Sequence, residues 1–292
     1  MGMRLRERMY QLTIGTLLLF VSFTMLFPFL YIAVISFTDA AAYEPNALSF
    51  WPSAWSMDAY RLIFAGDGFL NALNSSLFLT VVGTPISVMV SCSTAYMLAK
   101  RTLPGRKVML NLIVFTMLFS PGLIPNYLLI KELDLLNSWW ALILPATANA
   151  WTLLVMKSFF QNIPHEVIES AKIDGCGEYA VFFRIVLPLS KAMLAAFSLF
   201  AAVGFWNTYF NAILYISNSA KWPLQVFLQQ VVMSSSMGEF IEASVMQSFK
   251  QEVPAEIIKM AAVVVATVPI IVVYPFLQKH FAKGVMIGSV KG

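Results

Sequence analysis

Six stretches of this chain carry no Asp, Glu, Lys or Arg: residues 12–37, 73–99, 108–130, 139–156, 192–217 and 260–278. A hydrocarbon layer about 30 Å thick is crossed by about 20 apolar residues of helix, and inside it each backbone N–H must be paired within its own segment. The pattern therefore predicts six membrane-spanning helices. Pro28, Pro85, Pro121, Pro125, Pro145 and Pro269 fall inside these stretches and read as kinks rather than stops. Longer connections are expected at 38–71, 158–191 and 218–259, where function concentrates.

Composition agrees. Of 292 residues, 59% are hydrophobic and 12% charged, against about 25% charged in a soluble domain; the mean hydropathy is +0.75. A soluble enzyme, a disordered chain and a disulfide-stapled secreted domain are excluded. Lys and Arg fall on alternate sides of the spans. With the N-terminus inside, fourteen of nineteen lie in the cytoplasm, as the positive-inside rule requires, so both termini are placed there. The net charge of +4 then needs no nucleic acid. The first stretch is 26 residues long, beyond the about 7–15 of a signal-peptide core, and is read as a retained span. Trp51, Trp55, Trp139, Trp140 and Trp222 fall at the expected outer interface. Cys92 and Cys176 offer neither a disulfide framework nor a metal motif, and no metal site is expected.

The inner connection is the most informative segment. Asn162 is a plausible N-cap, Pro164 suits a first turn, and Glu166 favours the positive end of a helix. The helix should run to about Asp174 and end at Gly175, which can take a left-handed conformation. A second helical piece, 178–186, should stop near Pro188. Val167, Ile168 and Ala171 beside Glu169 and Asp174 make a surface that a protein partner or the bilayer has to cover.

Glu169-Ser170-Ala171, three residues, Gly175, nine residues, then Ile185-Val186-Leu187-Pro188 resembles the EAA loop of ABC-importer permeases, with Ser170 in place of the middle alanine. The resemblance implies an all-α integral membrane protein of six transmembrane helices with the type I ABC-importer permease fold. It makes residues 1–292 a single membrane-spanning domain of the bacterial cytoplasmic (inner) membrane. It further implies that Glu169, Ser170, Ala171, Asp174 and Gly175 dock on an ATPase subunit, while Ile185, Leu187 and Pro188 turn the chain into the fifth span. The chain has no Gly-x-x-x-x-Gly-Lys-[Ser/Thr] phosphate loop, so ATP and Mg belong to that partner and none is expected here.

Residues 121–137 and 274–292 are similar to carbohydrate-uptake permeases, the latter to the tail of their smaller, maltose-permease-like subunit. By that resemblance Val290, Lys291 and Gly292 reach the ATPase. The wording is nearest to importers of complex oligosaccharides, including the alginate type. The implied partners are a second homologous permease, two ATPase copies, an extracytoplasmic solute-binding protein and membrane lipid.

For a sugar path the spans offer Asn149, Trp151, Trp206, Asn207, Tyr209 and Asn211, suited to ring stacking and amide or hydroxyl hydrogen bonds. Asn207 and Asn211, four apart, would share a helix face. The alternative for these asparagines is interhelical hydrogen bonding. Two other classes are disfavoured. A membrane enzyme would need a catalytic constellation, but only His165 and His280 are present and neither is in a span. An ion-coupled secondary transporter of a small solute would place ionisable residues within its spans.

Overall fold

The computed structural model describes residues 2–45, 50–233 and 253–288, with side chains for 7–45, 50–233 and 253–272. The described elements are helical, with one isolated antiparallel bridge between Thr38 and Trp55. They are α1 (Gly2–Ser36), α2 (Asp58–Ala65), α3 (Asp67–Ala99), α4 (Arg106–Leu118), α5 (Leu123–Glu132), α6 (Trp140–Ala146), α7 (Ala150–Gln161), α8 (His165–Ile173), α9 (Glu178–Leu189), α10 (Lys191–Trp206), α11 (Phe210–Tyr215), α12 (Leu224–Met233) and α13 (Ala255–Gly288).

Among the described residues three unbroken helical segments are long and apolar enough to cross a membrane: Glu7–Ser36, Asp67–Ala99 and Ala255–Val272. Three bent pairs raise the number to six if each pair is one span: α4 with α5 at 119°, α6 with α7 at 45°, and α9 with α10 at 83°. The stretch 108–130, expected as one span, is thus two helices. The physical reason sits in Ser120-Pro121-Gly122. Pro121 lacks the N–H that would continue α4, and Gly122 takes φ +85°, open to a residue without Cβ. The stretch 192–217 is likewise interrupted, because Asn207–Tyr209 leave the helix between α10 and α11.

Two compact units make up the chain: residues 1–67 with 228–269, and residues 68–227 with 270–292. In the first, α1 lies almost wholly exposed along its apolar length. Its end is held by Ser36 and Tyr60, whose hydroxyls are 2.6 Å apart, and by Phe37 packed on Tyr60 at 4.7 Å.

In the second unit α3 is the spine. One end of it, through Cys92, Ala95 and Tyr96, packs with Met156, Phe160, Ala171, Val181, Val186 and Met193. Further along, Leu79 packs with Ile130, Ile143, Phe205, Ala212, Ile216 and Val226. Beyond that cluster the α3 hydroxyl of Ser76 accepts from the Leu224 backbone N–H at 2.8 Å. The carbonyl of Asn137 takes the Lys221 ammonium at 2.8 Å, and its side-chain oxygen accepts from the Ser217 and Asn218 N–H groups at 3.0 and 2.9 Å.

α3 and α10 touch at Gly83. A Cβ there would sit 2.8 Å from the Phe205 ring, closer than packed carbons approach. Gly83→Val is expected to cost about 1–3 kcal/mol by overpacking. Phe205→Leu in the same chain should recover part of that loss, read as the melting temperature of the detergent-solubilised protein. Strictly additive effects of the two substitutions would exclude this contact as the constraint.

Candidate functional site

Two features concentrate the chemistry: the helical element α8–α9 and a cavity between two helix breaks. α8 starts after Pro164, which occupies the N-cap position without a side-chain cap. Asn162, expected as that cap, instead closes the preceding helix α7. The end of α8 follows the sequence. Gly175 N–H bonds Lys172 C=O at 3.0 Å and Cys176 N–H bonds Ala171 C=O at 2.9 Å. With Gly175 at φ +84°, this pair of bonds is a Schellman motif, and a side chain at 175 would strain it.

The turn sorts the motif residues. Ala171 is buried among the apolar side chains at the end of α3. Glu169, Ser170, Asp174 and Gly175 are exposed. Ser170 Oγ donates to Val167 C=O at 3.2 Å. Large apolar side chains also face outward, with Ile173 85% and Tyr179 84% exposed, and Phe183 and Leu189 about half so. In α9 the backbone widens into a π turn over Phe182–Val186, ahead of Pro188, whose ring would clash with the Arg184 carbonyl in a regular helix. Ile185 and Leu187 are half-buried against the core and Pro188 is exposed. Val290, Lys291 and Gly292 lie outside the described residues.

The cavity, about 570 Å³, lies between the breaks at 147–149 and 207–209. That size falls within the about 300–1,000 Å³ of ligand pockets. Four of the six expected path residues line it: Asn149, Asn207, Tyr209 and Asn211. Asn149 caps α7, its side-chain oxygen accepting from Thr152 N–H at 3.2 Å. Asn207 Oδ1 accepts from Gln225 Nε2 of α12 at 3.3 Å, an interhelical bond. Asn207 and Asn211 stand on opposite sides of the break, so the shared helix face is corrected, yet both reach the cavity. Trp151 and Trp206 are not part of the lining. Trp151 is half exposed and packs on Phe197 at 6.0 Å. Trp206 is buried, its indole N–H without a partner among the described residues.

Ser87 and Ser91 also line the cavity, and sequence reasoning passed over them. Ser91 Oγ donates to Thr147 C=O at 3.0 Å and Ser87 Oγ to Ala146 C=O at 3.3 Å. Their signal was two small hydroxyls four apart in an uncharged run. Phe197, Phe200 and Phe205 add aromatic wall. Every lining residue is uncharged. Among the described residues no group of three or more His, Cys, Asp or Glu could hold a metal.

The family model for binding-protein-dependent transport system inner membrane components matches residues 8–287. The chain belongs to that family. It is similar to Protein LplC of Bacillus subtilis, 50% identical over 266 residues that cover 91% of this chain and 89% of the relative. It is also similar to the polygalacturonan/rhamnogalacturonan transport system permease protein YtcP of Bacillus subtilis, 48% identical over 99% of this chain and all of the relative. Among solved structures it resembles a chain of a bacterial ABC transporter involved in the import of the acidic polysaccharide alginate. That match has a TM-score of 0.87 and 29% identity, covering 94% of this chain and 97% of that one. The chain is therefore an ABC-importer permease, a membrane component of the transport system rather than a catalytic one.

At the foot of the α8–α9 element of this permease, Glu178 bonds Lys172 at 2.8 Å and also Lys100. These bonds, Lys100 first, hold the Glu178 carboxyl below the ordinary carboxylate range. A group that ionises more readily when folded adds stability that is complete above its unfolded pKa and is lost as pH falls through the folded one. The melting-temperature difference between wild type and Glu178→Gln should therefore be constant around neutral pH and shrink on acidification below the ordinary carboxylate range. A difference that grows with acid would exclude this role.

Proposed function

We propose that this permease imports oligosaccharides in an ATP-driven, binding-protein-dependent transporter, and that α8 is its coupling helix. The observation that carries the reading is the α8–α9 element itself. Ala171 is fixed in the core, while Glu169 and Ile173 are presented outward by α8, which Gly175 ends, and Tyr179 by the start of α9. Apolar side chains more than four-fifths exposed on a polar loop need a covering surface. A cleft on a cytoplasmic ATPase supplies it, with Glu169 as the charged contact. Ile185, Leu187 and Pro188 continue the element into the fifth span.

In this reading the N- and C-termini are cytoplasmic, the segments 38–71 and 218–259 face a solute-binding protein, and Val290, Lys291 and Gly292 contact the ATPase. A second homologous permease completes the membrane domain and two ATPase copies carry ATP and Mg. Closure of the ATPase pair moves α8 as a lever, and the bundle switches between inward- and outward-open states.

The cavity is the substrate path of this chain. Asn149, Asn207, Tyr209 and Asn211, joined by Ser87 and Ser91, offer amide and hydroxyl groups to sugar hydroxyls, and Phe197 and Phe200 offer faces for stacking. The relatives named for polygalacturonan and alginate support an acidic oligosaccharide as the cargo. In an uncharged cavity its carboxylates are met by neutral N–H and O–H donors.

Glu169→Ala and Tyr179→Ala are each expected to lower ATP-driven uptake about tenfold or more, with loss of ATPase co-purification and normal membrane insertion. Gly175→Val should do the same through strain at φ +84°. Normal uptake in all three would end the coupling role of α8. Asn207→Ala and Asn211→Ala should reduce uptake of labelled oligogalacturonate in vesicles while the complex stays intact. A loosened complex with unchanged uptake would instead make these asparagines structural.

A further inference from the structure

The charge cluster below the inner element is not explained by docking, because its members face one another. Glu178 opens α9, and its two carboxylate oxygens serve different elements. Oε1 accepts from the Lys172 ammonium of α8 at 2.8 Å, and Oε2 accepts from the Lys100 ammonium one residue beyond α3. Lys100 also lies 4.6 Å over the Tyr96 ring, and Tyr96 is packed on Phe160 of α7 and Phe182 of α9 at 5.9 and 5.1 Å. The same end of α3 is closed by Arg106 Nε, which donates to Leu98 C=O at 2.7 Å.

Three helices therefore meet at one carboxylate. Each of the three side chains is between about one-third and one-half exposed, and exposed pairs contribute little to stability. Their use is directional. α8 is anchored to the apolar core mainly through Ala171, its one buried side chain, so apolar burial alone fixes its register only weakly. Hydrogen bonds between charged groups have a preferred direction. A second bond to Glu178 also costs little ordering, because the first has already fixed that side chain.

We propose that Glu178 is a positioning residue for coupling: the Lys172–Glu178–Lys100 tie holds α8, α9 and the foot of α3 as one body, so that displacement of α8 by the ATPase is passed to a membrane-spanning helix. This rests on the reading of α8 as the docking helix. Without the tie, α8 slides over the apolar core and the stroke is lost before it reaches the span.

The test reads distances in the complete importer and needs no knowledge of the cargo. Spin labels are placed at His165→Cys on α8 and Arg101→Cys beyond α3, both exposed positions. Cys176 is replaced by serine, and Cys92, fully buried, is left in place. With Glu178 present, the distance is expected to be single and equal in the nucleotide-free and ATP-bound states. Glu178→Gln should broaden or split it in the ATP-bound state. Lys100→Met, which cuts only the α3 side, should do likewise, and Glu178→Asp should restore most of the single distance. A distance as narrow in Glu178→Gln and Lys100→Met as in the wild type, in both states, overturns the tie. The docking reading fails separately: if Glu169→Ala assembles with the ATPase and hydrolyses ATP like the wild type, the lever falls and this proposal with it.

Discussion

A helix broken inside a bilayer leaves backbone groups that neither lipid nor its own next turn can pair, and the interior of this permease is arranged around that constraint. The break at 147–149 frees carbonyls that Ser87 and Ser91 of α3 take up, and it frees N–H groups of which Asn149 takes one. At 207–209, Thr208 returns its hydroxyl to Gly204 C=O at 3.2 Å. Irregular backbone at membrane depth is tolerated where protein or a cavity surrounds it. Here both breaks open on the same cavity, and the polar groups that repair them are also the groups that line it.

This dual use separates what could be read from the sequence from what could not. Hydropathy sums over a window, so it finds the uncharged stretches and is blind to a bend within one. The 119° turn at Ser120-Pro121-Gly122 costs the window average nothing. Helical phase fails for the same reason. Counting residues puts Asn207 and Asn211 on one face, but a count carries no phase across Asn207–Tyr209. Trp206, one residue before that break, points into the core instead of the cavity. Cap chemistry travelled better, because it depends on one residue and its immediate neighbours. Gly175 ends α8 as its missing Cβ allows, although the N-cap fell at Pro164 rather than Asn162.

Ser87 and Ser91 show the opposite limit. Two hydroxyls four apart in an uncharged run mark a polar strip but do not name what it pairs with. Their partners are 56 to 60 residues away, and only the packing of α3 on the α6–α7 break explains two hydroxyls in an apolar helix. Gly83 is similar. Its reason is the Phe205 ring of α10, a contact that local sequence cannot suggest.

The two features of the site are joined by the helices that build them. α3 carries Tyr96 and, just beyond its end, Lys100 at the α8–α9 element, and farther along it carries Ser91 and Ser87 at the cavity and Gly83 against Phe205. α10 follows α9 after Ser190 and ends at Trp206, next to Asn207 in the cavity wall. A displacement of α8 that moved α3 and α10 together would shift both walls in concert. A displacement that moved them unequally would have to pass through Gly83 and Phe205, where the approach leaves no slack. Close-packed contacts of this kind are bistable rather than continuously deformable. In the proposed cycle that property turns a small motion at the ATPase into a change between two cavity shapes.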